Sequence, residues 1–185
     1  KKQANLHIEP VQVNPQRYKL TLYFIRWELA LNFLVQHPEF EKVALVDATD
    51  VTVLNYPFDQ VEDQFLYFGD EINYLDAGII KRDPKTPEMR NFFEENPELQ
   101  LLNPGVIVGT REMIIEFLTI LVSTFNRIQV EEMRGVPEQR LGNYEMSLVN
   151  YIAYRYFYNR IRHGREVSTL FMYNERTSGA WFKHK

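Results

Sequence analysis

The chain has 185 residues, a hydrophobic fraction of 45%, a formal charge of −4 and no cysteine. Such a length and apolar content are typical of one folded domain with a substantial core. The acidic balance argues against sequence-independent nucleic-acid binding, and the lack of cysteine excludes disulfide scaffolds, thiolate catalysis and cysteine-ligated zinc.

The first quarter of the chain predicts two strands around one helix. Leu6–Val13 alternates loosely between apolar and polar residues and ends at an Asn-Pro turn signal, which predicts a strand. Tyr18–Gln36 predicts a helix ended by His37-Pro38, with a strand as the alternative at its start. Val43–Val46 is a short, fully apolar run, which is typical of a strand buried on both faces of a parallel sheet.

The rest of the chain continues to alternate strands with helices. Short apolar runs predict strands at 51–54, 65–68, 106–108 and 167–171. The polar stretch 70–100 predicts a surface excursion with one short helix near Pro87–Glu95. A helix capped by Thr110, a loop over 131–142 and a helix over Tyr144–Tyr158 follow. This order predicts an α/β domain with a mixed, mainly parallel central sheet, and no apolar run approaches the ~20 residues needed to cross a bilayer.

Two carboxylates follow the predicted buried strand directly. Asp47 and Asp50 flank Ala48-Thr49, and ligands of open α/β sheets collect beyond the carboxyl ends of the strands. Residues three apart on a strand point to opposite faces, so both acids can serve one site only if the chain bends at Ala48-Thr49. An Asp-capped turn without chemistry is the alternative.

Four stretches in this order resemble the GT-A glycosyltransferases, the nucleotide-diphospho-sugar transferases. Residues 43–51 (VALVDATDV), with NYPF at 55–58, are similar to the family's apolar strand, acidic turn and following segment. Residues 102–109 (LNPGVIVG) resemble its Asn-x-Gly strand before a long helix, and 144–151 (YEMSLVNY) resemble an acid-led helix start. His184-Lys185 is similar to the metal-binding histidine near the end of the family's catalytic domain.

This resemblance implies a Rossmann-like GT-A sandwich and one catalytic domain over residues 1–185, without the first nucleotide-binding strand with which such domains normally open. It implies the transfer of a sugar from a nucleotide-diphosphate sugar to an acceptor, most simply a glycan. Mn²⁺ or Mg²⁺ would assist by neutralising the charge that develops on the diphosphate leaving group. Nucleic acid is not an expected partner.

The resemblance also implies a metal set of Asp50, Asp47 and His184. Hard cations prefer carboxylate oxygens, and Mn²⁺ accepts imidazole as well. Asp50 is the expected direct ligand, while Asp47 is alternatively a contact to the donor ribose or sugar. An exposed terminal histidine without function is the alternative for His184.

Four further residues are expected to contact the nucleotide sugar. Arg26 and Lys185 are placed by the resemblance near the diphosphate, with an exposed helix arginine as the alternative for Arg26. The amide of Asn103 can donate to and accept from sugar hydroxyls. Gly105 allows the backbone to approach a ligand closely, although an ordinary Asn-Pro-Gly turn explains the same residues.

Glu145 and Asp47 are the candidate catalytic residues. Glu145 is expected at a helix N-terminus, where it could hold the sugar or the acceptor, or act as the base of an inverting mechanism. The family usually has Asp at this position. A catalytically inactive GT-A-like domain that binds nucleotide sugars or glycans is therefore the alternative function. A haloacid-dehalogenase-type phosphatase is disfavoured, because its two acids must lie two residues apart on one face.

Overall fold

The described residues of this computed structural model are 7–13, 21–173, 175 and 178–185, and they form five α-helices and six β-strands. The helices are α1 (Leu22–Gln36), α2 (Gly78–Arg82), α3 (Pro87–Glu95), α4 (Arg111–Met133) and α5 (Met146–Phe157). The strands are β1 (Lys42–Val46), β2 (Val51–Val53), β3 (Leu66–Tyr74), β4 (Gln100–Thr110), β5 (Ile161–His163) and β6 (Phe182–His184). The fold is mixed α/β, as predicted.

The central sheet has the strand order β1-β4-β3-β5. Strands β1, β3 and β5 run in one direction, and β4 runs against them from a position between β1 and β3. The prediction of a mixed sheet is therefore confirmed. Three of the four strands share one direction, but the inserted β4 makes two of the three pairings antiparallel.

The direction of β4 brings its early residues to the carboxyl end of β1. Val46 pairs with Val106, and one residue further the Asp47 N–H donates to the Gly105 carbonyl at 3.0 Å. A separate two-stranded ribbon of β2 and β6 places Val51 opposite His184. Three segments that are distant in sequence, around residues 46–51, 105–106 and 184, thus meet at one edge of the sheet.

The helices cover the sheet through one apolar core. Helix α4 begins where the Thr110 hydroxyl accepts a hydrogen bond from the Met113 N–H, which confirms the predicted cap. Its buried face packs against α1, α5 and the sheet. Among the described residues, α4 is the one helix long and apolar enough to cross a membrane, but this face belongs to the core. The structure therefore gives no clear transmembrane segment.

Several predicted elements differ from the structure at the ends of the chain. Residues 7–13 form no strand, and Leu6 lies outside the described residues. The start of the predicted helix at 18–20 also lies outside them, and α1 begins at Leu22. No strand forms over 167–171, where Ser168 makes a single bridge to Phe182. The short strands β5 (IRH) and β6 (FKH) were not predicted, because each has only one apolar residue and so shows no strand pattern.

β3 and β4 are longer than the sequence predicts, and β1 is less buried. β1 is an edge strand whose residues are only half-buried, because no strand of the described chain pairs with its outer edge. β3 continues to Tyr74 and β4 begins at Gln100, so the two ends of the predicted surface excursion belong to the sheet. Helix α3 has the predicted bounds, whereas α2 was not predicted.

The side chain of Asn150 joins α5 to β4. Its buried amide accepts from the Leu102 N–H at 2.8 Å and donates to the Leu102 carbonyl at 2.9 Å. We expect Asn150→Ala to lower the free energy of unfolding by about 2–3 kcal/mol, because buried backbone groups lose their partners. Asn126→Ala, on the exposed face of α4, should change it by less than about 0.5 kcal/mol. Urea denaturation measures both, and equal effects would contradict this role.

Candidate functional site

The acidic turn folds both of its carboxylates toward one histidine. The chain leaves β1 at Asp47 and turns over residues 48–50, where the Val51 N–H donates to the Asp47 carbonyl at 3.2 Å. The bend expected at Ala48-Thr49 is therefore present. Because β6 pairs with β2, His184 lies beside this turn, and one ligand atom each from Asp47, Asp50 and His184 lie within 4.8 Å of one another.

His184 is a buried residue and not an exposed terminal one. It is 2% exposed, and its backbone N–H donates to the Thr169 hydroxyl at 2.9 Å. The ring packs against Phe171, with 4.7 Å between the ring centroids. Burial lowers the pKa of His184, and the nearby Asp47 and Asp50 only partly oppose this. Its Nδ1 is buried and has no hydrogen-bond partner among the described residues, which leaves a neutral imidazole ready to bind a ligand.

Arg26 connects the acidic turn with the start of α5. Its guanidinium donates to Asp47 Oδ1 through Nη1 and to Glu145 Oε1 through Nη2, the second at 2.5 Å. The guanidinium also lies 4.2 Å from the centroid of the Trp27 ring. The side chain is 31% exposed. Arg26 is therefore a cation shared by two carboxylates, and not the exposed helix arginine of the alternative interpretation.

Glu145 lies at the N-terminal cap of α5, as the sequence predicts, but its side chain makes no capping hydrogen bond. The side chain turns to Arg26 instead, and the residue is only 4% exposed. Burial raises the pKa of Glu145, although the guanidinium of Arg26 opposes the shift. A carboxyl group with this balance is easier to protonate than an exposed one.

Asn103 and Gly105 form the wall opposite the acidic turn. Asn103 Oδ1 accepts from the Gly105 N–H at 2.7 Å, and its Nδ2 donates to Glu71 Oε1 at 2.5 Å. Sequence reasoning missed Glu71 as a site residue. The signal was the Gly69-Asp70-Glu71 run after an apolar stretch, which was interpreted as the end of the strand although β3 continues through it. Burial raises the pKa of Glu71, and the Asn103 amide opposes this.

These side chains line a cleft of about 260 Å³. The lining holds four carboxylates, one guanidinium and the His184 imidazole, in addition to three aromatic side chains that were not predicted; these residues are Asp47, Asp50, Glu71, Glu145, Arg26, His184, Tyr23, Tyr144 and Phe171. Four acids against one permanent cation leave a negative cleft. Such a cleft favours a divalent cation and disfavours a bare diphosphate.

Lys185 is the one predicted site residue that the cleft does not include. Its backbone N–H donates to the Asp50 carbonyl at 2.9 Å, and its Nζ lies 3.5 Å from the Thr49 carbonyl. The exposed amine is thus beside the outer side of the acidic turn. The contact stabilises the turn and leaves the amine outside the cleft lining.

Comparison with known proteins adds no family assignment. Neither the family models nor the curated proteins compared with the chain match it. The function is therefore argued from the cleft and from the four stretches of sequence.

Gly105 is required by the close approach of β4 to the acidic turn. A Cβ at this position would lie 2.5 Å from His184 Cε1, 2.8 Å from Asp47 Oδ2 and 2.9 Å from Asn103 Oδ1. We expect Gly105→Ala to lower the free energy of unfolding by about 1–3 kcal/mol through overpacking. Gly179→Ala is the control, because its added methyl group meets nothing within 4 Å. Urea denaturation compares them, and a Gly105→Ala chain as stable as the control would refute this tight packing.

Proposed function

We propose that the chain is a metal-assisted glycosyltransferase of the GT-A type, which transfers a sugar from a nucleotide-diphosphate sugar to a glycan acceptor. One observation carries the proposal. Residues from all four stretches that resemble the family line the same cleft: Asp47 and Asp50, Asn103 and Gly105, Glu145, and His184. The resemblance, which rests on sequence alone, implies that these segments share one site, and their common position in the cleft supports the proposal.

The donor atoms at the acidic turn suit Mn²⁺ or Mg²⁺. Two carboxylates and a neutral imidazole with an unpartnered buried nitrogen form a cluster within 4.8 Å, and the surplus of negative charge around them needs a counter-ion. Asp50, Asp47 and His184 would hold the cation. When bound, it would neutralise charge on the diphosphate leaving group.

The remaining side chains position the donor. Arg26 fixes the Asp47 carboxylate, so that its other oxygen can face a ribose or sugar hydroxyl. Gly105 lets β4 pack directly against His184 and Asp47, which brings the three residues of the metal cluster together. Asn103 uses its amide to hold Glu71 in the cleft wall, so the hydroxyl contact that the resemblance assigns to Asn103 is shared with Glu71.

Glu145 is the side chain best suited to take the proton of an acceptor hydroxyl. Its raised pKa brings the carboxylate closer to the pH at which it can accept that proton. Arg26 keeps the group ionised before the transfer. This role corresponds to an inverting mechanism, in which the carboxylate activates the acceptor.

A catalytically inactive binding domain is the second candidate function. The ion pair with Arg26 and the 4% exposure of Glu145 favour it, because a carboxylate occupied in this way must be released before it can act as a base. The same cleft would then bind the nucleotide sugar without transferring it.

Binding of the metal and the donor is tested at Asp50. We expect Mn²⁺ with UDP, or with another nucleoside diphosphate of a panel, to raise the melting temperature by about 5 °C or more at saturation. Asp50→Asn should lower the affinity for Mn²⁺ by at least ~10–100-fold, which is the typical cost of losing even an outer-shell partner of a metal. The rise in melting temperature should shrink accordingly. Asp59→Asn, an exposed acid outside the cleft, should respond like the wild type. If no nucleoside diphosphate stabilises the wild type with Mn²⁺, the transferase proposal fails.

Glu145→Gln separates catalysis from binding. The amide keeps a hydrogen bond to Arg26 but cannot accept the acceptor proton, so we expect kcat to fall about 10²–10⁴-fold while donor binding is kept. Glu95→Gln, an exposed acid at the end of α3, is the matched control. Transfer to a glycan panel is measured by product mass. Unchanged kcat would exclude Glu145 as the base, and donor binding by a wild type that transfers nothing would favour the binding domain.

A further inference from the structure

A groove larger than the cleft adjoins it, and a further cavity adjoins that groove. A groove of about 480 Å³ shares Ile79 and Tyr144 with the cleft. A further cavity of about 500 Å³, here called the distal cavity, shares Asp83 and Pro84 with the groove. The cleft therefore shares a wall with the groove, and the groove shares a wall with the distal cavity. This path runs from the acidic turn to the helices α2 and α3. A ligand larger than one sugar can extend along this path.

The sign of the charge reverses along the path. The groove and the distal cavity are lined by five basic and three acidic side chains, whereas the cleft has one guanidinium against four acids; the basic residues are Lys81, Arg82, Lys85, Arg90 and Arg140. Two of these cations have acidic partners, since Lys81 lies 3.6 Å from Asp76 and Arg90 lies 3.6 Å from Glu138. Lys85 and Arg140 have no ion-pair partner within the part of the chain that the structure describes.

Lys85 is a buried cation in the wall of the distal cavity. It is 8% exposed, and its Nζ donates to the Asp83 backbone carbonyl. Burial lowers the pKa of Lys85, because the charged ammonium has lost much of its hydration. The Asp83 carboxylate offsets part of this loss, and an anionic ligand group in the cavity would stabilise the buried ammonium further.

The distal cavity also has apolar walls and a free acceptor. Leu75, Ile80 and Phe93 provide apolar surface of the kind that packs against the C–H face of a sugar ring. Asp83, at the entrance, has a buried Oδ2 without a hydrogen-bond partner among the described residues, which can accept from a sugar hydroxyl. Gly142 preserves this carboxylate, because a Cβ there would lie 1.8 Å from Asp83 Oδ1.

We infer that the acceptor is an acidic glycan, and that the distal cavity binds a sugar carrying a carboxylate or phosphate group through Lys85 and Arg140. The acceptor hydroxyl would then lie in the cleft near Glu145, with the chain of sugars following the groove past Tyr144. This inference rests on the proposed function. It names the acceptor class of the same site from the contrast in charge between the two ends of the path.

The inference is tested by binding, without any transfer reaction. Glucuronate, glucose 6-phosphate and neutral glucose are titrated into ¹⁵N-labelled protein, and backbone signals of the distal cavity are followed by NMR. We expect at least one of the two acidic sugars to bind there roughly tenfold more tightly than glucose. One charge-assisted hydrogen bond typically contributes an affinity gain of this size. Glucuronate and glucose 6-phosphate distinguish a carboxylate from a phosphate.

Three variants test which side chains cause the preference for acidic sugars. Lys85→Met keeps the buried stem and should remove most of the preference for the acidic sugar. Arg140→Met, at an exposed position, should weaken it without risk to the core. Arg127→Met removes the same charge from the exposed side of α4 and should change nothing. Equal affinity for glucose and both acidic sugars, or a preference that survives both cavity variants, overturns the inference.

The outcome separates this inference from the proposed function. If nucleoside diphosphate and Mn²⁺ bind the cleft but acidic sugars show no preference for the distal cavity, the acidic acceptor is refuted and the transferase proposal stands. If acidic sugars bind the distal cavity while no nucleotide binds the cleft, the transferase proposal fails and the cavity remains an acidic-sugar site.

Discussion

The site depends on the close approach of β4 to the acidic turn. The hydrogen bond from the Asp47 N–H to the Gly105 carbonyl extends the β1–β4 ladder past the end of β1, so both strands enter the cleft together. Only a residue without a Cβ allows this beside His184. The antiparallel direction of β4 is essential, because a parallel strand would bring its carboxyl end, and not Asn103 and Gly105, to this edge.

Electrostatics links the elements that this approach brings together. Arg26 joins an acid after β1 to an acid before α5, while His184 is buried neutral beside two carboxylates. The excess of acids is unfavourable in the isolated protein and favourable once a divalent cation is present. The distal cavity has the opposite balance, because four basic and three acidic side chains line it and one of the basic ones is the buried Lys85. A cation in the cleft and an anion in the distal cavity would each balance the charge of the surrounding side chains.

The sequence predicted the parts of the site that are encoded locally. The apolar run before Asp47, the cap at Thr110 and the helix Pro87–Glu95 follow from short-range patterns, and the structure has all three. The sequence did not predict the pairing of the strands, because pairing depends on residues that are far apart in the chain. No local pattern in β1 or β3 indicates that β4 lies between them. Glu71 was missed for the same reason, because only Asn103 on the neighbouring strand identifies it as part of the cleft.

The central claim is that Asp47, Asp50 and His184 form a metal site that holds a nucleoside diphosphate. A crystal structure of the protein soaked with Mn²⁺ and UDP, with the anomalous signal of manganese recorded, tests it most directly. The account predicts one manganese peak within coordination distance of the Asp50 carboxylate and an imidazole nitrogen of His184, in contact with the diphosphate. Manganese and UDP bound elsewhere, with these three side chains unliganded, would contradict it.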